Sequence, residues 1–356
     1  MIAVDDRQVL VNHFLETSAR RFPDKTAVIH DDRRVSYAAV NRRANRLARW
    51  LRHTGIKTGD RVVLLFENSI DYIVCYYGIL KSGAAVVPLN TDIRPEQLTA
   101  LLNTIDSSII LASGRFERLL RHTLPDGNPV EHLVVDGPRL DWSGTTFSPL
   151  GLDSILDEAG NDANLDLTVD PGALASIIFT SGSTGVPKGV MLSHGNIAAN
   201  VNAICAYLRL TEGDVQMVVL PFHYVMGKSL LNTHFAAGGT VVINNTSAYP
   251  ATVVNQMAAL GVTGFSGVPS TFAHLLYRSP LKSMASELKS LRYCSQAGGH
   301  MSTHLKKELR AALPEWTQIY IMYGATEASA RLSYLDPRYY ETKMGSIGKA
   351  IPGVSM

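Results

Sequence analysis

Cysteine is scarce in this sequence: Cys75, Cys205 and Cys294 are the three in 356 residues, each set singly among apolar neighbours and none in a CxxC pair. That scarcity excludes a disulfide-stapled secreted scaffold and leaves no zinc-ligand spacing. Buried free thiols instead point to a reducing, cytoplasmic compartment. No uninterrupted apolar run approaches the roughly 18 residues that span a bilayer, so no membrane span is expected. The opening stretch MIAVDDRQVLVNHF lacks a basic region leading into an apolar one, so no signal peptide is expected either. Charge of one sign is also missing. With 33 basic against 31 acidic side chains the formal charge is +2, which gives no electrostatic footprint for nucleic acid. What is present is a 46% hydrophobic, 18% charged chain of the globular kind, long enough for about two domains at roughly 150 residues each.

Strand-like and helix-like patterns alternate along it. Residues 61–66 (RVVLLF) and 84–89 (AAVVPL) are continuous apolar runs of strand length, and the segment between them reads as a helix closing on Gly83. Val40, Ala44, Leu47, Ala48 and Leu51 recur at helical spacing, while Arg42, Arg43, Arg46, Arg49 and Arg52 take the remaining surface, which reads as a solvated face. Further strand-like runs fall at residues 174–180, 217–220, 240–243, 262–266, 291–295 and 318–322, with helix-like stretches such as 251–260 and 303–313 among them. Buried strands separated by helices argue for an α/β architecture with mainly parallel sheets. Residues 113–171 break the rhythm, and 151–170 carries Asp153, Asp157, Glu158, Asp162, Asp166 and Asp170 with no basic residue. This reads as a surface connection between two lobes, 1–170 and 171–356.

The most informative stretch is residues 177–196, IIFTSGSTGVPKGVMLSHGN. A buried strand runs into Thr180, Ser181, Gly182, Ser183, Thr184 and Gly185, and Lys188 follows three residues later. Glycines let the backbone turn its N–H groups inward, hydroxyls add donors and the lysine supplies positive charge, which together make a nest for polyphosphate. A Walker loop is excluded, because Pro187 precedes Lys188 and Gly189 follows it; the dinucleotide pattern G-x-G-x-x-G fails at Thr184.

TSGSTGVPKGV resembles the phosphate-binding signature of the adenylate-forming enzymes: acyl-CoA synthetases, luciferase-like ligases and peptide-synthetase adenylation domains. GIKTGDRVVLLFEN (55–68), GILKSGAAVVPLN (78–90), LPFHYVMG (220–227), GVPSTF (267–272), QAGGHMS (296–302), MYGATEAS (322–329) and GSIGKAIPG (345–353) match the family in order. The resemblance implies the large N-terminal domain of that fold, with two stacked, mainly parallel sheets and helices on their faces. It also implies an AMP-forming acid–thiol ligase: a carboxylate attacks the α-phosphorus of ATP, pyrophosphate leaves, and a coenzyme A or carrier-protein phosphopantetheine thiol captures the acyl-adenylate.

Residue by residue, the resemblance gives Thr180, Ser181, Gly182, Ser183, Thr184, Gly185 and Lys188 to the β- and γ-phosphates. Thr326 would contact the α-phosphate, Thr184 and Glu327 would serve Mg²⁺, and Tyr323, Gly324 and Ala325 would flank the nucleotide with Tyr323 near the adenine. Gly298, Gly299 and His300 occupy the adenine-edge segment, with His300 where proline is common. Tyr224 takes the position of the gate near the carboxylate, one residue after His223. No acidic residue occurs from 220 to 230 to hold an α-ammonium, and the pocket segments 225–231, 265–271 and 294–299 are uncharged apart from Lys228. The expected substrate is therefore an acid with an uncharged tail, aryl or fatty acyl, with an amino-acid adenylation domain as the alternative.

The family pattern runs on past GSIGKAIPG, through a Tyr-x-Thr-Gly-Asp segment to a small mobile C-terminal domain carrying a catalytic lysine. The only TGD here, Thr58-Gly59-Asp60, lies in the N-terminal segment. The expectation is a truncated N-terminal part without its C-terminal domain, with an ATP- or adenylate-binding fragment of little turnover as a second alternative.

Overall fold

Local chemistry sets the helix boundaries in the computed structural model, which describes residues 9–124, 130–137, 141–143, 147–157, 160–180 and 187–356. Ser69 caps the helix Ile70–Lys81 by accepting from the Tyr72 N–H at 2.9 Å, and Gly83 beyond its end is left-handed (φ +85°). Ser36 caps the helix Tyr37–His53 in the same way. That helix buries Val40, Ala44, Leu47, Ala48 and Leu51, as its periodicity predicts. The close approach is specific: a Cβ on Gly78 would meet Leu47 Cδ2 at 2.8 Å.

The chain forms two compact units, Val35–Ile197 with the segment ending at Lys25, and Thr26–Arg34 with Ala198–Met356. The first holds a seven-stranded sheet in the order Leu150–Gly151, His132–Val135, Ile109–Ala112, Arg61–Leu65, Ala85–Pro88, Leu174–Thr180, Lys188–Ser193, parallel except for the last pair. The expected division at 170 lies inside this unit, because Leu174–Thr180 pairs in parallel with Ala85–Pro88.

The arginine face of the helix Tyr37–His53 is not simply solvated. Arg43 reaches Asp71 at 2.9 Å and Asp153 at 3.3 Å, and Arg46 reaches Asp162 at 2.7 Å. Asn45 Nδ2 adds a hydrogen bond to the Asp162 carbonyl at 2.7 Å. The acidic segment therefore docks on the arginine helix, a pairing that sequence spacing alone does not reveal. Being only partly buried, these pairs should weaken with salt.

The second unit holds a nine-stranded sheet in the order Lys349–Ala350, Ser333–Leu335, Gln318–Tyr323, Tyr293–Gln296, Gly264–Gly267, Val215–Val218, Thr240–Ile243, Thr26–His30, Arg33–Ser36. Its centre is parallel, and antiparallel pairs follow Tyr323. Its two faces differ. Phe265, Cys294, Ile319 and Ile321 join the apolar core with the helices Pro250–Ala259, Pro269–Arg278 and Thr303–Ala312. Alternation puts Gln216, Ser266, Tyr293 and Ser295 on the other face, all at most 1% exposed, where they bond to one another. Tyr293 Oη donates to Gln216 Oε1 at 2.7 Å and lies 3.2 Å from His234 Nε2, and the Ser266 and Ser295 hydroxyls are 2.7 Å apart.

Candidate active site

In the first unit, Leu174–Thr180 and Lys188–Ser193 form an antiparallel hairpin whose last pair is Thr180 opposite Lys188. Gly189 is required by space, since a Cβ there would meet Ile177 Cγ2 at 2.8 Å. Ser181, Gly182, Ser183, Thr184 and Gly185 lie outside the described residues; what is described is the stem that carries them, with Lys188 exposed. Sequence pattern did not identify Lys188–Ser193 as a strand, because the glycine and proline before it read as loop.

His194 opens the helix His194–Leu208 directly after this hairpin. Its Nδ1 accepts from the Val11 N–H at 3.2 Å, and its buried Nε2 has no hydrogen-bond partner among the described residues. Desolvation, aided by nearby His13, draws its pKa from 6.5 down to about 4. The folded value lies below the unfolded one, so the stabilisation is complete above about pH 6.5 and is lost as pH falls toward 4. Urea midpoints should therefore drop between pH 7 and pH 4.5 by the equivalent of about 3 kcal/mol. His194→Gln should flatten that dependence, and an unchanged slope would contradict it.

The second unit supplies the other motif residues. Tyr323 ends the strand Gln318–Tyr323, and the chain returns in Ser333–Leu335, with the Leu332 N–H donating to the Tyr323 carbonyl at 2.9 Å. Between them lie the turn Thr326–Ala328 and two left-handed non-glycine residues, Ser329 (φ 56°) and Ala330 (φ 111°). Such geometry is costly and must be held from outside. Asn200 holds it. Its Nδ2 donates to the carbonyls of Ala328 (3.2 Å) and Arg331 (2.7 Å), and its Oδ1 accepts from the Arg331 N–H (3.2 Å). Nothing in the sequence singled Asn200 out, since a polar residue inside a helical pattern reads as surface. Asn200→Ala should cost about 2 kcal/mol by stranding these groups, measurable as a lower urea midpoint. An unchanged midpoint would show that the turn holds itself.

Gly324 packs against the backbone at the base of this hairpin: a Cβ there would collide with the Ala330 carbonyl and lie 2.9 Å from Arg331 Cα. Tyr323 and Glu327 are exposed, and Ala325 and Thr326 are half-buried. Among the described residues no group of three or more His, Cys, Asp or Glu is placed to hold a metal. A lone exposed carboxylate such as Glu327 suits Mg²⁺ that takes its remaining ligands from phosphates and water.

Gly298 (φ +77°), Gly299 and His300 form an exposed bend beyond Tyr293–Gln296, pinned by Gln296 Nε2 donating to the Gly299 carbonyl at 2.8 Å. Tyr224, 50% exposed, precedes the helix Val225–Ala237, while His223 is buried with its ring 4.3 Å from that of Tyr224. Lys228 is buried on that helix, and desolvation draws its pKa down to about 7.

These motifs can be set against known proteins. The sequence model described as AMP-binding enzyme matches residues 15–356. The chain belongs to the AMP-binding enzyme family. Similar members include a dimodular nonribosomal peptide synthase of Bacillus subtilis (strain 168), 29% identical over 90% of this chain and 13% of that protein. A medium-chain fatty-acid–CoA ligase of Escherichia coli (strain K12) is 29% identical over 89% of this chain and 55% of that one. An oxalate–CoA ligase of Arabidopsis thaliana is 27% identical over 95% and 65%. The chain thus spans less than two thirds of the length of these AMP-binding relatives. The solved N-terminal domain of FACL13 from Mycobacterium tuberculosis has the same fold, with a TM-score of 0.82 at 23% identity over 96% of this chain and 82% of that one.

Proposed function

We propose that the protein activates a carboxylic acid with ATP and Mg²⁺, forming an acyl-adenylate and pyrophosphate for transfer to the thiol of coenzyme A or of a carrier protein's phosphopantetheine. The observation that carries this reading is the pairing of motif and geometry. Thr180 and Lys188 sit opposite each other on the stem of the glycine-rich loop, and Thr326 and Glu327 sit on a turn held open by Asn200. Both motifs belong to a family match over nearly the whole chain.

In this reading Lys188, with the hydroxyls of Thr180, Ser181, Ser183 and Thr184 and the loop N–H groups, holds the β- and γ-phosphates and takes up charge building on the departing pyrophosphate. Thr326 orients the α-phosphate, and Tyr323, Gly324, Ala325, Gly298, Gly299 and His300 border the nucleotide. Glu327 and Thr184 would hold Mg²⁺, which supplies charge neutralisation on the phosphates. Tyr224 gates the acid's carboxylate. No enzyme nucleophile is needed, because positioning and charge stabilisation do the catalysis. The three buried, free cysteines fit a cytoplasmic setting, and among the described residues no helix is long and apolar enough to cross a membrane.

Trapping with hydroxylamine tests the reaction class. Incubation with ATP, Mg²⁺ and a panel of acids should release AMP with acid-dependent hydroxamate, whereas ADP as the product would overturn the assignment.

A further inference from the structure

Arg331 carries its charge where water does not reach, at 3% exposure. Its Nε donates to Met322 Sδ at 3.1 Å and its Nη1 to the Ala330 carbonyl at 3.2 Å, and the Tyr207 hydroxyl is its third neighbour. Among the described residues no carboxylate pairs with it. Arg292 in the same unit shows what a structural arginine looks like, with two contacts to Asp214 at 2.8 and 3.1 Å. A thioether, one carbonyl and a phenol do not neutralise a guanidinium. An isolated buried cation costs several kcal/mol unless an anion joins it.

Its place in the fold says where that anion comes from. Arg331 closes the base of the hairpin whose tip carries Thr326 and Glu327, directly behind Gly324. Met322, against which it lies, shares a sheet face with Tyr320 and Ser295, the face lined by buried hydroxyls and amides. A planar guanidinium matches a carboxylate in shape and charge.

We propose that Arg331 binds a second carboxylate on the acid, so that the substrate is a dicarboxylic acid. This rests on the adenylation reading. One carboxylate oxygen attacks the α-phosphorus, the bond to pyrophosphate breaks, and the distal carboxylate stays intact on the guanidinium. The proposal replaces the uncharged tail expected from sequence. That expectation counted charges within residues 225–231, 265–271 and 294–299, and Arg331 lies outside all three.

The test compares succinate, glutarate and adipate with butyrate, valerate and hexanoate as acids in ATP–pyrophosphate exchange, with wild type and Arg331→Met. In parallel, the rise in Tm produced by each acid alone is measured. Wild type should prefer a dicarboxylate to its equal-length monoacid, and Arg331→Met should lose about 100-fold in kcat/KM for the dicarboxylate while its KM for ATP and its monoacid rate hold. Wild-type preference for the monoacids overturns the proposal even if the variant does not fold. So does an equal loss with every acid, which marks a structural arginine, or a raised KM for ATP throughout, which marks a phosphate ligand. Exchange with no acid contradicts the adenylation reading instead. The Tm shifts then decide Arg331 alone: a dicarboxylate should stabilise wild type and not Arg331→Met, and equal shifts overturn the assignment.

Discussion

Replacing Lys188 with alanine is expected to reduce acid-dependent ATP–pyrophosphate exchange about 30- to 1000-fold, equivalent to about 2–4 kcal/mol of transition-state stabilisation. On the proposed reading the effect is large, because charge builds on the β- and γ-phosphates as pyrophosphate leaves and a preplaced cation would meet that charge without reorganising. Lys188 is exposed and sits at the mouth of the Leu174–Thr180/Lys188–Ser193 hairpin, so the substitution removes a charge without opening a cavity. Thermal stability should stay within about 0.5 kcal/mol of wild type, as for other surface changes. Unchanged exchange in Lys188→Ala would remove the residue from the phosphate site.

Gly324→Ala should act in the opposite manner, through the backbone. The added Cβ collides with the Ala330 carbonyl and comes within 2.9 Å of Arg331 Cα, and neither is a flexible side-chain end. Relief requires the hairpin to open, which pulls Ser329 and Ala330 away from the Asn200 contacts that hold them. Overpacking a rigid site costs about 3 kcal/mol or more. The expected result is a lower Tm together with loss of Mg·ATP binding by calorimetry, because Thr326 and Glu327 ride on the displaced turn. A variant with wild-type Tm and affinity would show that this turn is softer than its contacts indicate.

Much of this was readable in the sequence, for physical reasons. Continuous apolar runs such as 61–66 and 84–89 coincide with buried strands, since strands covered on both faces need apolar residues throughout. The buried stripe of Tyr37–His53 was equally legible from spacing. What the sequence hid depends on contacts between distant positions. The aspartates of 151–170 and the arginines of 42–46 lie over a hundred residues apart, and only the folded unit shows that they meet. Asn200 and Arg331 look like ordinary helix and loop polar residues, and their burial depends on how a turn 131 residues downstream of Asn200 closes. The division between units was misplaced at 170 because a pause in periodicity resembles a domain linker. Strand pairing, which carries the first unit on to Ile197, leaves no such mark.

On the proposed reading, the protein couples a carboxylate to the α-phosphate of ATP. Exchange of labelled pyrophosphate into ATP, run with and without each acid of the panel, measures that coupling in one step. Label should enter ATP only when a suitable acid and Mg²⁺ are both present. Label incorporated equally without acid, or acid-stimulated release of ADP with no exchange at all, would contradict it.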